Sequence, residues 1–317
     1  MSATWRVGIV GAGLMAQGFD APGSPRVLSM AHAFARVPRF SVSGFFDQRP
    51  ERAAAAEQRW GVPSTPRERA AWFDQRWDVI YIATPDAQHA GDLETALDAR
   101  PRAVLVEKPL ALDAGDAAQL LDRAEREGVP LIVNFPRRHH SAVAALRRMV
   151  AAGELSAPSS AWAAVSGGAA HNLPHLIDLV RAVWGSGWVV SGAGRRGELV
   201  TLRWQRAEET FWMCVAERRA EYYVWEAQFH CPEGKLELSK SPEVLEWSAP
   251  APHPDYASYR VLHPRLSAGM EDEPLLTRAV ASLAGVLDDP AAAAAALAIE
   301  RETQRLVAAA LACFEPE

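Results

Sequence analysis

Continuous apolar runs alternate with helical patterns along the first 135 residues, and no other feature of the sequence limits the fold as much. Strands that are apolar at every position, rather than at every second one, are typical of a sheet that is buried on both faces. Helices between such strands connect them in parallel and cover the sheet. The predicted strands are residues 6–10, 40–46, 77–83, 103–106 and 130–134, and the predicted helices between them are residues 50–60, 86–98 and 113–127.

The pattern changes after about residue 135. Helices are predicted at 141–152 and 175–183, and strand-like segments then follow one another with short turns, which favours a mostly antiparallel sheet. We predict these strands at 188–191, 198–204, 210–215, 221–229 and 235–238, an irregular segment at 248–274, and helices at 274–287 and 290–312. The sequence therefore predicts an α/β domain at 1–130 with a doubly wound parallel sheet, and an α+β domain at 131–317.

The composition excludes several classes of function. The 317 residues carry a net charge of −6, whereas a nucleic-acid-binding domain usually has a basic excess, so we expect no nucleic-acid partner. Three cysteines without a CxxC pair favour neither a disulfide framework nor a thiolate zinc site. No apolar stretch reaches the ~18 residues needed to span a bilayer. We expect a soluble, cytoplasmic protein that has no membrane partner.

The first predicted strand ends in a glycine-rich turn that fits the pattern G-x-G-x-x-A. Gly11 permits the tight turn, Gly13 lets a pyrophosphate approach the backbone, and Ala16 lets helix and strand pack closely. Such a turn places the anion at the positive end of the following helix. A purely structural turn is the alternative. The residues that we expect to contact a dinucleotide are Gly11, Ala12, Gly13, Leu14 and Met15.

The second predicted strand ends at Asp47, from where an acidic side chain can accept both ribose hydroxyls of the adenosine half. Asp47 lies 34 residues after Gly13, where about 20 is usual. We interpret the excess, at 20–30, as an inserted loop near the cofactor. Asp47 favours NAD, since a carboxylate would repel a 2′-phosphate. Arg49 and Arg52 leave NADP open as the cofactor, because either arginine could reach that phosphate. The alternative is that both are solvated side chains at the start of a helix.

Polar residues also follow the third and fourth predicted strands. Thr84, Pro85 and His89 come after the third, and Glu107 and Lys108 come after the fourth. In open α/β sheets, ligands bind at the edge formed by the carboxyl ends of the strands. We therefore expect these five residues at the cofactor site.

The chain resembles the Gfo/Idh/MocA oxidoreductases, the relatives of glucose–fructose oxidoreductase and inositol dehydrogenase. The resemblance covers nearly the whole chain. It implies a Rossmann domain followed by an α+β domain with an open sheet, NAD or NADP as cofactor, and hydride transfer on a sugar, polyol or related cyclic alcohol or ketone. The matching segments, besides the glycine turn and Asp47, are Ala83-Thr84-Pro85 with His89, Glu107-Lys108-Pro109, Asn134 with Arg137-Arg138, and His175 with Asp178.

The resemblance also implies roles for individual residues. Lys108, partly desolvated and close to a cationic ring, is suited to exchanging a proton with the substrate, and His175 is expected to face it across a cleft. Many members of the family carry an aspartate four positions before this histidine, where this chain has His171. His171 could act as an acid or base itself, or it could mark altered or lost redox chemistry.

Four further residues are expected to contact the substrate: Asn134, Arg138, Asn172 and Asp178. Asn172 is the nearest alternative to the missing aspartate, and Asp178 either supports His175 or is a carboxylate on the helix surface. Bidentate binding by Arg138 would suit an anionic substrate, unless this basic segment is only a solvated helix start. The adjacent histidines at 139 and 140 have no evident third ligand, so we expect no metal.

Three functions are open at this point. The first is an NAD(P)-dependent oxidoreductase, and the second is a hydrolase or lyase of the same family that oxidises its substrate transiently. The third is a nucleotide-bound sensor or scaffold without catalysis.

The tryptophans indicate association between subunits. Seven of the eleven lie after residue 160, and Trp204, Trp212 and Trp225 fall on predicted strands. Large aromatic side chains on an open sheet face favour a subunit contact, while core packing accounts for others. We expect a homo-oligomer that forms through the C-terminal sheet, with a small-molecule substrate.

Overall fold

The computed structural model of the protein describes residues 4–218, 220–239, 244–269 and 272–314. Contacts group the chain into two compact units. The first unit comprises Met1–Pro136 and Pro274–Gln304, and the second comprises Arg137–Glu273 and Arg305–Glu317. The division of the sequence into domains at 1–130 and 131–317 stays a prediction.

The first unit contains a five-stranded sheet in which every neighbouring pair of strands is parallel. The order across the sheet is β2-β1-β3-β4-β5. β3 and β4 are buried at every residue, which explains their continuous apolar sequence. The predicted parallel sheet is confirmed. Its strands are β1 (Trp5–Val10), β2 (Phe40–Phe46), β3 (Val79–Ile82), β4 (Ala103–Val106) and β5 (Leu131–Val133).

Local signals account for the helices of this sheet. In the last of them before β5, Asp113 accepts a hydrogen bond from the Asp116 N–H at 3.0 Å, and Gly128 ends the helix with a left-handed φ of 68°. Its four buried residues, from Ala117 to Ala124, form the apolar stripe that the spacing predicts. The helices are α1 (Met30–Ala35), α2 (Pro50–Trp60), α3 (Arg69–Phe73), α4 (His89–Asp98) and α5 (Ala114–Glu127).

The second unit contains an eight-stranded sheet in the order β13-β12-β11-β10-β6-β9-β8-β7. Only the pair of β6 and β9 is parallel among the pairs described, so the predicted mostly antiparallel sheet is confirmed. Two helices precede most of its strands, α6 (Ser141–Ala151) and α7 (Ala169–Trp184). The strands are β6 (Ser160–Ser166), β7 (Val189–Arg196), β8 (Leu199–Arg206), β9 (Glu209–Arg218), β10 (Trp225–Cys231), β11 (Gly234–Ser239), β12 (Val244–Pro252) and β13 (Arg260–Gly269).

Three local expectations for this unit are wrong. β6 has no counterpart among the predicted strands, because its alanine-rich sequence has weak strand propensity and its pairing with β9 and β10 decides the conformation. Much of 248–274 is not irregular, since β12 and β13 pair along the segment and only residues 270–271 lie outside the described ranges. α7 begins at Ala169 rather than at 175 and includes Pro174.

The two faces of this sheet differ. Trp204 and Trp225 are buried in the core with residues of α6 and α7. Trp162 and Trp212 are 37% and 44% exposed. They lie on one face, because Cys214, two residues after Trp212 on β9, pairs with Trp162 on β6. This face therefore presents two large aromatic side chains to solvent.

Two helices complete the chain, α8 (Leu275–Asp288) and α9 (Pro290–Leu311). α8 packs on α1, and its residues Val280 and Leu283 share a core with β1 and β2. Arg39 and Asp288 form an ion pair within the same unit. In the ranges that the structure describes, no helix combines the length and the apolar character needed to cross a membrane.

Candidate active site

The strand order of the first unit defines where a ligand can bind. β1 lies between β2 and β3, so the connections that leave β1 and β3 run in opposite directions across the sheet. A crevice forms at such a point, outside the carboxyl ends of the strands. The predicted cofactor residues lie at or just beyond these ends, after β1, β2, β3 and β4, and Asn134 follows β5.

The glycines of the turn after β1 have the local geometry that the sequence predicts. The Gly11 N–H donates to the carbonyl oxygen of Phe46 at 2.7 Å, and the φ of Gly11 is +90°. A Cβ at Gly11 would lie 2.5 Å from the carbonyl oxygen of Ala83, whereas a Cβ at Gly13 would meet nothing within 4 Å. Ala16 is fully buried. Gly11 is thus required by the close approach of β1 and β3, while the space beside Gly13 fits a pyrophosphate.

The helix expected after this turn is a single π-type turn, Leu14–Gly18, in which the Phe19 N–H donates to the Leu14 carbonyl oxygen at 3.0 Å. The next regular helix begins only at Met30. Glycine and proline residues in the intervening segment, such as Pro22 and Gly23, explain why the helix does not continue. Within the described residues, no long helix directly follows this turn to supply a dipole for the anion. The backbone N–H groups of the turn itself would bind the anion.

The loop before α1 is held by a buried carboxylate. Asp20 accepts hydrogen bonds from the Leu28 N–H at 2.7 Å and from the Ser29 hydroxyl, and it lies 2.8 Å from Nδ1 of His32. Burial alone would raise the pKa of Asp20, but these hydrogen bonds and the charge of His32 outweigh burial and lower the pKa. The absence of regular structure is as predicted for 20–29; its closeness to a cofactor stays a prediction.

Asp47 connects the end of β2 to the glycine turn. Its Oδ2 accepts from the Ala12 N–H at 3.0 Å, and its Oδ1 accepts from the Arg49 N–H at 2.9 Å. A carboxylate has about four lone-pair positions, so both oxygens keep capacity for ribose hydroxyls. Arg49 and Arg52 are exposed.

A second network fixes the residues after β3. The Thr84 hydroxyl donates to Asp92 at 2.6 Å, and the buried Asp92 pairs with Arg69 at 2.7 Å. His89 is fully buried, with Nε2 at 2.9 Å from the Thr84 carbonyl oxygen and Nδ1 at 2.5 Å from the Pro109 carbonyl oxygen. Both ring nitrogens of His89 are thus engaged by protein groups.

Glu107 and Lys108 lie just beyond β4. Oε1 of Glu107 accepts from the Tyr81 hydroxyl and from Nδ2 of Asn134, both at 2.6 Å. Burial raises the pKa of Glu107, and the hydrogen bonds from Asn134 and Tyr81 and the charges of Lys108 and His89 offset this only in part. The peptide bond between Lys108 and Pro109 is cis. The hydrogen bonds from Tyr81 and Asn134 thus hold the carboxyl group of Glu107 next to Lys108 in sequence.

The expected substrate residues of the second unit lie on and before α7. His171 is exposed and His175 is partly buried. Asn172 is buried, and its Nδ2 donates to the Ser166 carbonyl oxygen. The main-chain carbonyl oxygen of Asn172 accepts a hydrogen bond from Nε1 of Trp225 at 3.2 Å. Asn172 thus anchors the start of α7 to the sheet.

Arg138 and Asp178, both predicted to contact substrate, bind each other. Nε of Arg138 donates to Asp178 at 3.0 Å, a second guanidinium nitrogen lies 2.5 Å from the other carboxylate oxygen, and Arg181 adds a contact at 3.5 Å. The guanidinium carbon of Arg137 lies over the Trp225 ring, 4.3 Å from the ring centroid. Among the residues that the structure describes, no group of three or more His, Cys, Asp or Glu side chains is arranged to hold a metal ion.

Residues 5–135 match the family model described as the Gfo/Idh/MocA oxidoreductase family, NAD-binding Rossmann fold. This segment contains the glycine turn, Asp47, Glu107 and Lys108. The N-terminal part of the chain is therefore similar to the Gfo/Idh/MocA family.

Curated relatives match over less than half of the chain. A dTDP-3,4-didehydro-2,6-dideoxy-α-D-glucose 3-reductase from Streptomyces violaceoruber is 37% identical over 126 residues, which is 40% of this chain and 36% of that protein. An inositol 2-dehydrogenase from Mycolicibacterium smegmatis is 34% identical over 154 residues, 48% of this chain and 42% of that protein. The matched segments thus span less than half of these relatives.

Solved structures match over the whole fold. The 3-ketoreductase KijD10 from Actinomadura kijaniata, in complex with NADP and TDP-benzene, has a TM-score of 0.73 at 17% identity, with 98% of each chain covered. An NAD-binding oxidoreductase from Klebsiella pneumoniae has a TM-score of 0.76 at 15% identity, covering 98% of this chain and 97% of the other. At these identities the similarity establishes a shared fold, which includes the second unit.

Sequence reasoning missed the residues that support the predicted cofactor residues. Tyr81, Asp92 and Arg69 make hydrogen bonds or ion pairs to the motif residues or to their partners. One signal was available for Tyr81, because its hydroxyl interrupts an otherwise aliphatic buried strand and must find a partner. Asp92 and Arg69 lie on separate helices and carry no comparable signal.

Proposed function

We propose that the protein is an NAD(P)-dependent oxidoreductase that transfers hydride between the nicotinamide and a sugar, polyol or other cyclic alcohol or ketone. The observation that carries the proposal is Lys108, held next to the partly buried Glu107 at the same sheet edge as the Gly11–Gly13 turn. The reductase and dehydrogenase names of the curated relatives support the reaction class.

The cofactor fits the residues present. The space beside Gly13 admits a pyrophosphate, and Asp47 retains acceptor capacity for the ribose of the adenosine half. The nicotinamide supplies hydride exchange when it is bound. We assign NAD as the cofactor, since the Asp47 carboxylate would repel a 2′-phosphate. NADP would require Arg49 or Arg52, which are exposed close in sequence to Asp47.

The proton chemistry is assigned to Lys108. In the oxidative direction its Nζ would accept the proton of the substrate hydroxyl, and in the reductive direction it would return a proton to the carbonyl oxygen. His175 is assigned to the substrate as a further acid or base. His171 stands where many members of the family carry an aspartate. Arg138 gives no support for an anionic substrate, because its guanidinium already pairs with Asp178.

Titration of the protein with NADH and NADPH, followed by tryptophan fluorescence, tests the cofactor assignment. Tighter binding of NADH is expected; tighter binding of NADPH would transfer the assignment to the arginines. Binding of neither nucleotide would contradict the proposed function.

The Lys108→Met variant tests the catalytic assignment. Turnover should fall by roughly 10²–10⁴-fold, the usual contribution of general acid–base catalysis, while NADH affinity is nearly kept. His171→Asn is the comparison that asks whether the unusual histidine contributes. Undiminished turnover in Lys108→Met would refute its role. Product formation without net change in NADH would instead indicate the transient-redox hydrolase or lyase reaction.

We also propose that the protein forms a homo-oligomer through the exposed face of the eight-stranded sheet. The exposed Trp162 and Trp212 support this, because large apolar side chains on an open sheet face are typical of subunit contacts. Sedimentation should detect an oligomer at micromolar concentration, and Trp212→Glu should shift it to the monomer. A wild-type monomer would refute the interface.

A further inference from the structure

His89 stands out among the buried side chains because both of its ring nitrogens face main-chain carbonyl oxygens. The residue begins α4 and has no exposed surface. Nε2 lies 2.9 Å from the oxygen of Thr84, and Nδ1 lies 2.5 Å from the oxygen of Pro109. One histidine thus connects the loop after β3 with the residue that follows Lys108.

The two contacts limit the protonation of the ring. A carbonyl oxygen can only accept a hydrogen bond, whereas a neutral imidazole has one N–H and one nitrogen that bears a lone pair. In either neutral tautomer, a lone pair would face a carbonyl oxygen at hydrogen-bonding distance, which is repulsive. An imidazolium donates to both oxygens. The geometry is therefore satisfied only when both nitrogens carry protons.

Charged groups around the ring are compatible with this state. The charge of His89 acts to lower the pKa of Glu107, so the two groups attract when both are ionised. Asp92, three residues further along α4, pairs with Arg69, and Lys108 is the second cation that acts on Glu107. A buried cation is costly without hydrogen bonds and an opposite charge, and His89 has two acceptors and a nearby carboxyl group.

We propose that His89 is a positioning residue, held as an imidazolium, which ties the main chain after Lys108 to the end of β3. Lys108 is then fixed from both sides. Before it, the Glu107 side chain is held by Tyr81 and Asn134; after it, the Pro109 carbonyl is held by His89. The consequence for turnover rests on the proposed function, whereas the protonation state does not.

Nitrogen-15 NMR of the full-length protein, labelled at its histidines and free of nucleotide, tests the protonation state. We expect one ring with protons on both nitrogens at neutral pH, because both nitrogens face carbonyl oxygens. His140 is a matched control in the same chain. It is also buried, but its Nδ1 accepts from the Ala142 N–H at 3.0 Å while Nε2 contacts the Gly269 carbonyl oxygen at 3.2 Å, so it should keep one bare nitrogen.

The His89→Gln variant assigns the signal, which should be absent from its spectrum. If this variant does not fold, contacts in the wild type between the ring N–H protons and Pro109 make the assignment. A His89 ring with a bare nitrogen at neutral pH would overturn the imidazolium. A doubly protonated ring would support it whether or not the protein proves to be an oxidoreductase.

Steady-state kinetics of His89→Gln test the positioning role. Glutamine carries both of its N–H donors on one nitrogen, whereas the ring contacts the two carbonyl oxygens from two separate nitrogens, so the Lys108 segment should lose one restraint. Misplacement of a catalytic group by about 1 Å can cost ~10²-fold in rate. We expect kcat to fall by about that factor while the KM for the nucleotide changes little. An unchanged kcat in a folded variant would overturn this role, as would a loss confined to nucleotide KM.

Discussion

The two glycines of the turn after β1 should fail in different ways when each is replaced by alanine. In Gly11→Ala, the new Cβ would lie 2.5 Å from the Ala83 carbonyl oxygen, so β1 and β3 must separate by about 0.9 Å to reach an ordinary contact of 3.4 Å. The φ of +90° adds a left-handed conformation that costs about 1–2 kcal/mol. Overpacking adds about 1–3 kcal/mol, and a stiffer unfolded chain returns about 0.4–1 kcal/mol. We expect the free energy of unfolding to fall by about 1–5 kcal/mol.

Gly13→Ala is the matched comparison. The φ of Gly13 is −77°, which alanine adopts without strain, and no atom lies within 4 Å of its Cβ position. Stability should therefore stay the same or rise by about 0.4–1 kcal/mol. Nucleotide binding should weaken by at least about tenfold, because the methyl group would occupy the space through which the pyrophosphate approaches the backbone.

Two measurements on each variant separate these effects. Denaturant unfolding gives the change in the free energy of unfolding, and fluorescence titration with NADH gives the change in affinity. A Gly11→Ala variant as stable as the wild type would refute the argument from the close approach of β1 and β3. A Gly13→Ala variant that binds NADH normally would mean that the turn has only a structural role.

Three further outcomes follow from buried ionisable groups. Glu57→Gln should lower the free energy of unfolding by about 1–3 kcal/mol at pH 7, since the Arg67 ion pair and the Thr65 hydrogen bonds outweigh burial and lower the pKa of Glu57. The stability that Glu57 supplies is present above its unfolded pKa of about 4.5 and is lost as the pH falls through the lower folded pKa. Unfolding midpoints of both proteins should converge in acid, and parallel profiles would contradict this. Asp20→Asn should increase amide exchange and proteolytic cleavage within 20–29 without unfolding the first unit, and unchanged exchange would refute the anchoring role of Asp20. Burial raises the pKa of Cys231 to about 12, so iodoacetamide at neutral pH should leave this thiol unmodified in the native protein, as mass spectrometry would show.

The fold of the first unit was accessible from sequence for a local reason. The continuous apolar character of β3 and β4, the cap at Asp113 and the ending at Gly128 are each encoded within a few neighbouring residues. The second unit was predicted less completely. β6 carries little strand propensity of its own, and its conformation depends on β9 and β10, which lie more than 40 residues later.

The candidate site likewise combines features that the local sequence encodes with contacts that depend on distant residues. The sequence by itself determined which residue types stand at the ends of the strands: the glycines of the turn, Asp47, Glu107 and Lys108. It did so because strand ends and turns have local patterns, and because the carboxyl ends of parallel strands share one edge of the sheet.

Only the tertiary structure decided what these residues contact. Tyr81 meets Glu107 across 26 positions of sequence, and Arg138 meets Asp178 across 40, so that two expected substrate residues form an ion pair. Periodicity reports which face of an element is buried, but it carries no information about which buried polar group lies opposite. That depends on the packing of whole elements, because every buried donor and acceptor must find its partner in the folded chain.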